Sequence, residues 1–289
     1  MKKISFGKII TYVLLIALAV SIIVPVAWVF LASFKENTQF YGNPWTLPNG
    51  LHFENFVDAW KSAKMGQYML TSVITTALSL AILLVVALPA SYVLARFSFR
   101  FRGIIKTAFM AGLFINVNYI VVPIFLMLKD GNMPLKKLFG MDILVNNPVI
   151  LAVVYAATAL PFTIYLLSSY FVTLPKAFEE AAYIDGLGFG QTMFYIIFPM
   201  AKPSIITVIL FNFLSFWNEY IISMTLMSSM KGPRTLPVGL LNLMQAQQSA
   251  ANYGPMYAGL VLVMLPTLIL YICVQKQLTK GMTVGGLKG

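Results

Sequence analysis

The residues able to do chemistry are few. The 289-residue chain has one histidine, His52, one cysteine, Cys273, and nine acidic residues. A single cysteine forms no intrachain disulfide or thiolate cluster, and one histidine in an outer loop does not make a transition-metal site. No cluster of His, Asp, Cys or Ser builds a catalytic constellation, so neither catalytic nor metal-binding residues are expected. A Gly-x-x-x-x-Gly-Lys-Ser/Thr phosphate loop is also missing, so any ATP must be bound by another chain. Two features remain. One is Glu219, the only ionisable residue inside a long apolar run. The other is the stretch from Leu174 to Pro203, LPKAFEEAAYIDGLGFGQTMFYIIFPMAKP, with two adjacent glutamates, an aspartate, two lysines and three glycines.

The elements that must position these residues are membrane helices. The chain is 59% hydrophobic and 10% charged, where a soluble domain carries about a quarter charged residues. Residues 9–33, 65–95, 107–128, 143–175 and 235–275 carry no charge, and 203–230 carry only Glu219. A helix needs about 20 mostly apolar residues to cross the bilayer core. Six spans are predicted, at roughly 9–33, 70–95, 106–128, 148–170, 203–227 and 256–276, in one all-α membrane domain covering 1–289. The runs are too long, and alternate too little, for β-barrel strands. The net charge of +11 does not point to nucleic acid, because the basic residues gather at span ends. Twelve of the 20 fall on the side holding both termini, the 96–106 link and the 174–203 stretch. That side is predicted to be cytoplasmic. The N-terminus begins like a secretion signal, but its apolar run of 25 residues exceeds a signal core of about 7–15. An uncleaved first span is expected.

The 174–203 stretch lies between spans 4 and 5. Thr173 can cap a helix start, and Pro175 is tolerated in a first turn. Lys176 to Asp185 reads as a short helix in which Ala177, Ala181 and Ile184 share a small, shallow face. Glu180 flanks that face and can reach an external cation. Gly186, Gly188 and Gly190 permit a sharp turn, and Gln191 to Phe198 forms a second short helix, stopped by Pro199. The expected product is a helix–turn–helix knuckle over 174–200, shaped for docking.

These residues resemble a family. Glu180-Ala181-Ala182, Gly186, Ile196 and Phe198-Pro199 follow the pattern of the membrane subunits of bacterial ABC importers, with Phe198 in place of the usual leucine. Ile184-Asp185-Gly186, Ser33-Phe34-Lys35, Arg96-Phe97 and Trp217-Asn218-Glu219 look like the carbohydrate branch. Within the C-terminal tail, 277–289, the residues Gly281 to Gly289 resemble the tail of the maltose-permease G-type subunit. The resemblance covers nearly the whole chain. It implies a permease subunit that imports a sugar or oligosaccharide by alternating access. It implies a second homologous permease subunit, an ATP-binding subunit dimer carrying ATP and Mg, an extracytoplasmic sugar-binding protein and surrounding membrane lipid as partners. No cofactor is implied on this chain. Glu179, Glu180, Ala181, Ala182, Asp185, Gly186 and Pro199 would form the ATPase-coupling segment, and Gly285, Gly286 and Lys288 would touch the ATPase.

Glu219 should face protein or water, since a charged acid in mid-bilayer costs about 2.5–3.5 kcal/mol. With Trp217 and Asn218 it could wall a solute path. It could equally clamp helices together. Asn116 and Asn118 are neutral hydrogen-bonding groups that could line the same path or bind neighbouring helices. The last outer loop, 228–255, is rich in uncharged hydrogen-bonders: Gln245, Gln247, Gln248, Asn252 and Tyr253. The competing function is a self-sufficient secondary transporter or channel that uses Glu219. It should show internal symmetry, discontinuous helices and a midplane ion site, and of these the sequence shows only Glu219.

Overall fold

The computed structural model describes residues 6–62, 64–229 and 232–286, with backbone alone for Phe6, Ser62 and 276–286. Every regular element among the described residues is helical, as the long uncharged runs require. In chain order these are α1 (Phe6–Ala32), α2 (Thr38–Tyr41), α3 (Glu54–Ser62), α4 (Met65–Arg96), α5 (Arg102–Gly112), α6 (Val117–Phe139), α7 (Pro148–Thr173) and α8 (Ala177–Ile184). There follow α9 (Phe189–Gln191), a π-helix (Thr192–Ile197), α10 (Phe198–Met200), α11 (Lys202–Asn218), α12 (Ile221–Leu226), α13 (Leu236–Ser249) and α14 (Tyr253–Gly286).

Among the described residues, four helices are long and apolar enough to cross a bilayer unbroken: Gly7–Ala32, Met65–Arg96, Pro148–Thr173 and Tyr253–Gln275. They match the expected spans 1, 2, 4 and 6. The other two expected spans are bent. Arg102–Gly112 and Val117–Phe139 meet at 103°, and Phe189–Met200 and Lys202–Asn218 at 75°; counting each pair as one crossing gives six.

The departures from the sequence reading have local causes. The run 106–128 reads as one helix, yet the chain turns before Asn116. This residue is extended (φ −74°, ψ 126°), and its side-chain oxygen accepts the Asn118 N–H at 2.9 Å. A short polar side chain that satisfies a first-turn N–H favours a new helix start over continuation. The run 203–227 is interrupted in the same way, because Glu219 is extended (φ −71°, ψ 128°) between α11 and α12. Thr173 does not cap α8: it closes α7, and its hydroxyl donates to the Tyr170 carbonyl at 2.7 Å. Leu174, held extended by the proline that follows it, ends α7. Pro199 does not stop the second arm. The helical backbone runs on from the π-helix through Pro199 into α10. The segment 236–249, read as part of a loop, folds as α13.

Backbone contacts divide the chain into two units, Met1–Gly66 with Gly239–Pro266, and Gln67–Val238 with Thr267–Gly289. In the first unit, α1 is exposed along its apolar length, the surface expected of a helix set in hydrocarbon. The chain after α1 is pinned by Lys35, which is fully buried. Its ammonium donates to the Pro44 carbonyl and sits 4.3 Å from the centre of the Trp28 ring. Burial holds this lysine below its ordinary pKa. Asn55 donates to the carbonyls of Ser33 and Lys35, and Gly254 packs against it so closely that a Cβ would lie 2.5 Å from the Asn55 amide oxygen. Asn37 and the Tyr41 hydroxyl both donate to the Ala251 carbonyl, which closes this unit.

In the second unit, the buried core joins α4, α6, α7, α11, α12 and the second arm of the knuckle through Leu83, Leu151, Leu167, Phe171, Ile197 and Val208. Between α7 and α11, buried Asn212 donates to Thr163 at 3.1 Å, so the polar group carries its partner with it. The link from α6 to α7 is held by Asn132, whose oxygen accepts the N–H groups of Ile143 and Leu144 and whose nitrogen donates to Asp142. Lys136 and Asn132 together keep the Asp142 carboxyl below the usual aspartate range.

Candidate functional site

The knuckle is built as two faces of one short helix. Glu179 and Ala182, three residues apart, point inward. Ala182 is 3% exposed, and Glu179 meets the end of α4. There its Oε1 lies 3.0 Å from Arg96 Nε and accepts the Tyr92 hydroxyl at 3.0 Å. The same arginine donates through Nη2 to the Leu174 carbonyl at the entry to the knuckle. Both side chains are nearly buried, so the pair is a fixed joint. On the other face, Ala177, Glu180, Ala181 and Ile184 are exposed, and Ile184 reaches 85%.

The turn after α8 is a Schellman motif. The Leu187 N–H donates to the Ala182 carbonyl and the Gly186 N–H to the Tyr183 carbonyl. This places Gly186 at φ +81°, a left-handed conformation that glycine adopts without strain. Asp185 is exposed and precedes it as the last residue before the turn. The three glycines are not equivalent, because Gly188 is extended and Gly190 lies within α9. Phe189 then packs on Tyr92 and Phe97, with ring centres 5.7 and 5.2 Å away. The second arm continues as the π-helix, with Thr192, Met193 and Ile197 buried.

Glu219 stands at the break between α11 and α12, and its carboxylate is fully engaged. Its Oε1 accepts the Ile222 N–H at 2.7 Å, and its Oε2 accepts the Tyr155 hydroxyl at 2.6 Å and the Ser223 N–H at 3.1 Å. The acid therefore satisfies the first free N–H groups of α12 and ties that helix to α7. Beside it lies a cavity of about 240 Å³ lined by Asn118, Tyr155, Thr158, Ser215, Phe216 and Glu219, among others. Tyr155, one of the lining residues, stacks on Phe216 with ring centres 5.5 Å apart.

Of the five residues expected along a solute path, this cavity brings together Asn118 and Glu219. Trp217 is buried against Phe213, Asn218 is exposed with its amide donating to the Leu214 carbonyl, and Asn116 serves as the cap of α6. Gly285 and Gly286 continue α14, and Lys288 lies outside the described residues. The sequence did not reveal the joint of Tyr92, Arg96 and Glu179. Its members are up to 87 positions apart, and nothing local to Glu179 names Tyr92 and Arg96 as its partners. The basic end of a span beside an acidic short helix is the one signal that could have suggested it.

No group of three or more His, Cys, Asp or Glu residues among those described could hold a metal ion. Residues 87–284 match the family model for the binding-protein-dependent transport system inner membrane component. This chain belongs to that family. It is a multi-pass inner membrane protein, the permease subunit of a binding-protein-dependent ABC importer. ATP hydrolysis belongs to a separate subunit, and the family implies ATPase and binding-protein partners. The permease is 34% identical to the diacetylchitobiose uptake system permease protein NgcG of Streptomyces coelicolor, over 96% of this chain and 87% of that one. It is 28% identical to the melibiose/raffinose/stachyose import permease protein MelC of Bacillus subtilis, over 86% of each. Its fold is similar to that of a crystallised bacterial ABC transporter involved in the import of the acidic polysaccharide alginate. That likeness has a TM-score of 0.77 and 22% identity, over 96% of the permease and 99% of the other chain. Membership of this family displaces the self-sufficient transporter as a reading of the chain. Glu219, with both carboxylate oxygens hydrogen-bonded, holds α12 in place while also lining the cavity.

Proposed function

We propose that this permease subunit moves a sugar or oligosaccharide across the cell membrane by alternating access, with the outward face of α8 as its docking surface for the ATPase. The observation that carries the reading is the division of α8. Glu179 and Ala182 fasten the helix to α4, while Glu180, Ala181 and Ile184 are left exposed for a partner. Glu180 would pair with a basic residue of an ATP-binding subunit dimer that carries ATP and Mg. Gly186 sets the turn, and Asp185 and Pro199 flank the two arms. Displacement of α8 would pass through the Arg96–Glu179 joint into α4. A second homologous permease subunit completes the path, and an extracytoplasmic sugar-binding protein delivers the solute. Both termini lie in the cytoplasm, where Gly285, Gly286 and Lys288 would approach the ATPase. A saccharide is favoured because relatives at about this identity are named for diacetylchitobiose and for melibiose, raffinose and stachyose. The cavity beside Glu219 also offers Asn118, Thr158 and Ser215 as neutral hydrogen-bonding groups. Asn118 and Glu219 are the wall residues proposed for the solute path; Trp217, Asn218 and Asn116 would support it from outside.

The test is to tag this chain, purify it gently from its native membranes and identify what accompanies it, with Glu180→Lys alongside. An ATPase and a second permease are expected with the wild type. In Glu180→Lys the ATPase should be lost or uncoupled while the second permease is retained. A wild-type chain that purifies alone and transports solute into liposomes without ATP would overturn the reading. The accompanying binding protein, screened against neutral oligosaccharides and acidic saccharides, would then name the cargo.

A further inference from the structure

A second cavity, of about 310 Å³, runs along the seam between α5 and α7 and reaches the end of α4. Its walls are mostly apolar, with Leu94, Phe109, Met110, Ile164 and Val172. The two helices are antiparallel here. Gly112 abuts Pro161 so tightly that a Cβ would lie 2.9 Å from the proline ring, which closes the seam at that point. Toward the other end the seam widens, and there the lining carries Arg102 and Lys106. No carboxylate lines the groove.

The two cations differ. Arg102 is fixed, because its Nε donates to the Leu94 carbonyl at 3.0 Å and its Nη2 to the Ala95 carbonyl at 3.3 Å, satisfying the last carbonyls of α4. Lys106 is exposed and has no hydrogen-bond or ion-pair partner among the described residues. The groove is therefore an apolar slot with an immobile guanidinium and a free ammonium at one end. That end is the knuckle's end of this unit, since Arg96 beside it pairs with Glu179. A free inorganic anion would be served by the charges alone and would leave the apolar walls wet. A ligand with one anionic group and a hydrocarbon chain satisfies both. Of the slot's walls, α4 and α7 are long and apolar enough to cross a bilayer and α5 is one arm of a bent pair that passes the same test with α6, so such a ligand is present around it.

We propose that this groove binds an anionic phospholipid, with its phosphate held by Lys106 and Arg102 and one acyl chain laid along the α5–α7 seam. The assignment does not depend on the transported solute, because lipid retention is read without transport.

The experiment is native mass spectrometry of the intact importer complex after equilibration with equimolar phosphatidylglycerol and phosphatidylcholine. The wild type is expected to retain phosphatidylglycerol in preference, at one more lipid per permease chain than a groove-blocked variant. Lys106→Gln should lower phosphatidylglycerol retention about fivefold, the effect of one basic contact near a membrane surface. Lys106→Arg should preserve it. Ser169→Trp, which fills the slot from an exposed position on α7, should remove the bound lipid while the subunits stay assembled. Arg102 is left intact because it also caps α4. Equal retention in wild type, Lys106→Gln and Ser169→Trp would overturn the proposal. So would loss of the lipid to inorganic phosphate, which would make this a simple anion site. A crosslink from Lys106→Cys to the second permease subunit would overturn it too, since protein would then cover the groove.

Discussion

At the scale of single residues, Gly186 and Glu219 matter for opposite reasons. Gly186 holds a left-handed backbone, and space for a methyl group is open around it. The restriction is therefore conformational, and a side chain with a Cβ should cost about 1–2 kcal/mol there. Gly186→Ala is expected to lower the unfolding midpoint and weaken retention of the ATPase, and Gly186→Asn, which tolerates this conformation, should do so less. Equal loss in both variants would mean that the space, and not the backbone angle, is what counts. Glu219 acts through its hydrogen bonds. Tyr155→Phe removes one of three, and the carboxylate keeps both backbone N–H groups, so a mild loss of stability is expected. Glu219→Leu strands two N–H groups and a hydroxyl, each worth about 1–3 kcal/mol when buried without a partner. Thermal unfolding of both variants in detergent should rank them in that order. The sequence singled out both residues and set Glu180 beside the docking face, yet it did not show that Glu179 turns inward. That choice is made by Arg96, which is near in space and far along the chain.

At the scale of elements, hydrophobic runs located the helices but not their breaks. An uncharged stretch says how long an apolar segment is. It does not say that Asn116 or Glu219 will satisfy the N–H groups of a new helix and so release the chain from the old one. The knuckle was legible because its proline, glycines and acids act within a few residues of themselves. Its anchorage was not, because the Arg96–Glu179 pair bridges α4 and α8. Breaking a nearly buried ion pair from one side leaves a charge without its partner, at about 3–5 kcal/mol. Arg96→Met and Glu179→Leu are each expected to destabilise the chain strongly, and the double variant by less than their sum. Additive losses in denaturant unfolding would mean that the two residues act separately. A stable double variant should still bind the ATPase through Glu180, with transport per ATP hydrolysed reduced.

At the scale of the whole molecule, composition alone placed this chain in a membrane, and the count of basic residues on each side predicts the orientation of its ends. Fusing a fluorescent protein that folds only in the cytoplasm to the C-terminus should give a bright fusion, and alkaline phosphatase at the same position should be inactive. The reverse pattern would invert the proposed topology and remove α8 from reach of any cytoplasmic ATPase.

The second arm of the knuckle is wound as a π-helix over Thr192–Ile197, which amounts to an α-helix holding one residue more than its turns need. Deleting one residue there would let the arm rewind without losing a turn. The elements before it would keep their direction, whereas one further inserted residue, with no slack turn to absorb it, would swing them by about 100° about the arm's axis and shift them by about 1.5 Å. Phe189, wedged beside Tyr92 and Phe97, now holds the arm against that rotation. The direction in which α8 points is thus encoded by chain length as much as by side-chain chemistry. Single-residue insertions between 192 and 197 offer a way to re-aim the same docking face at a differently shaped socket.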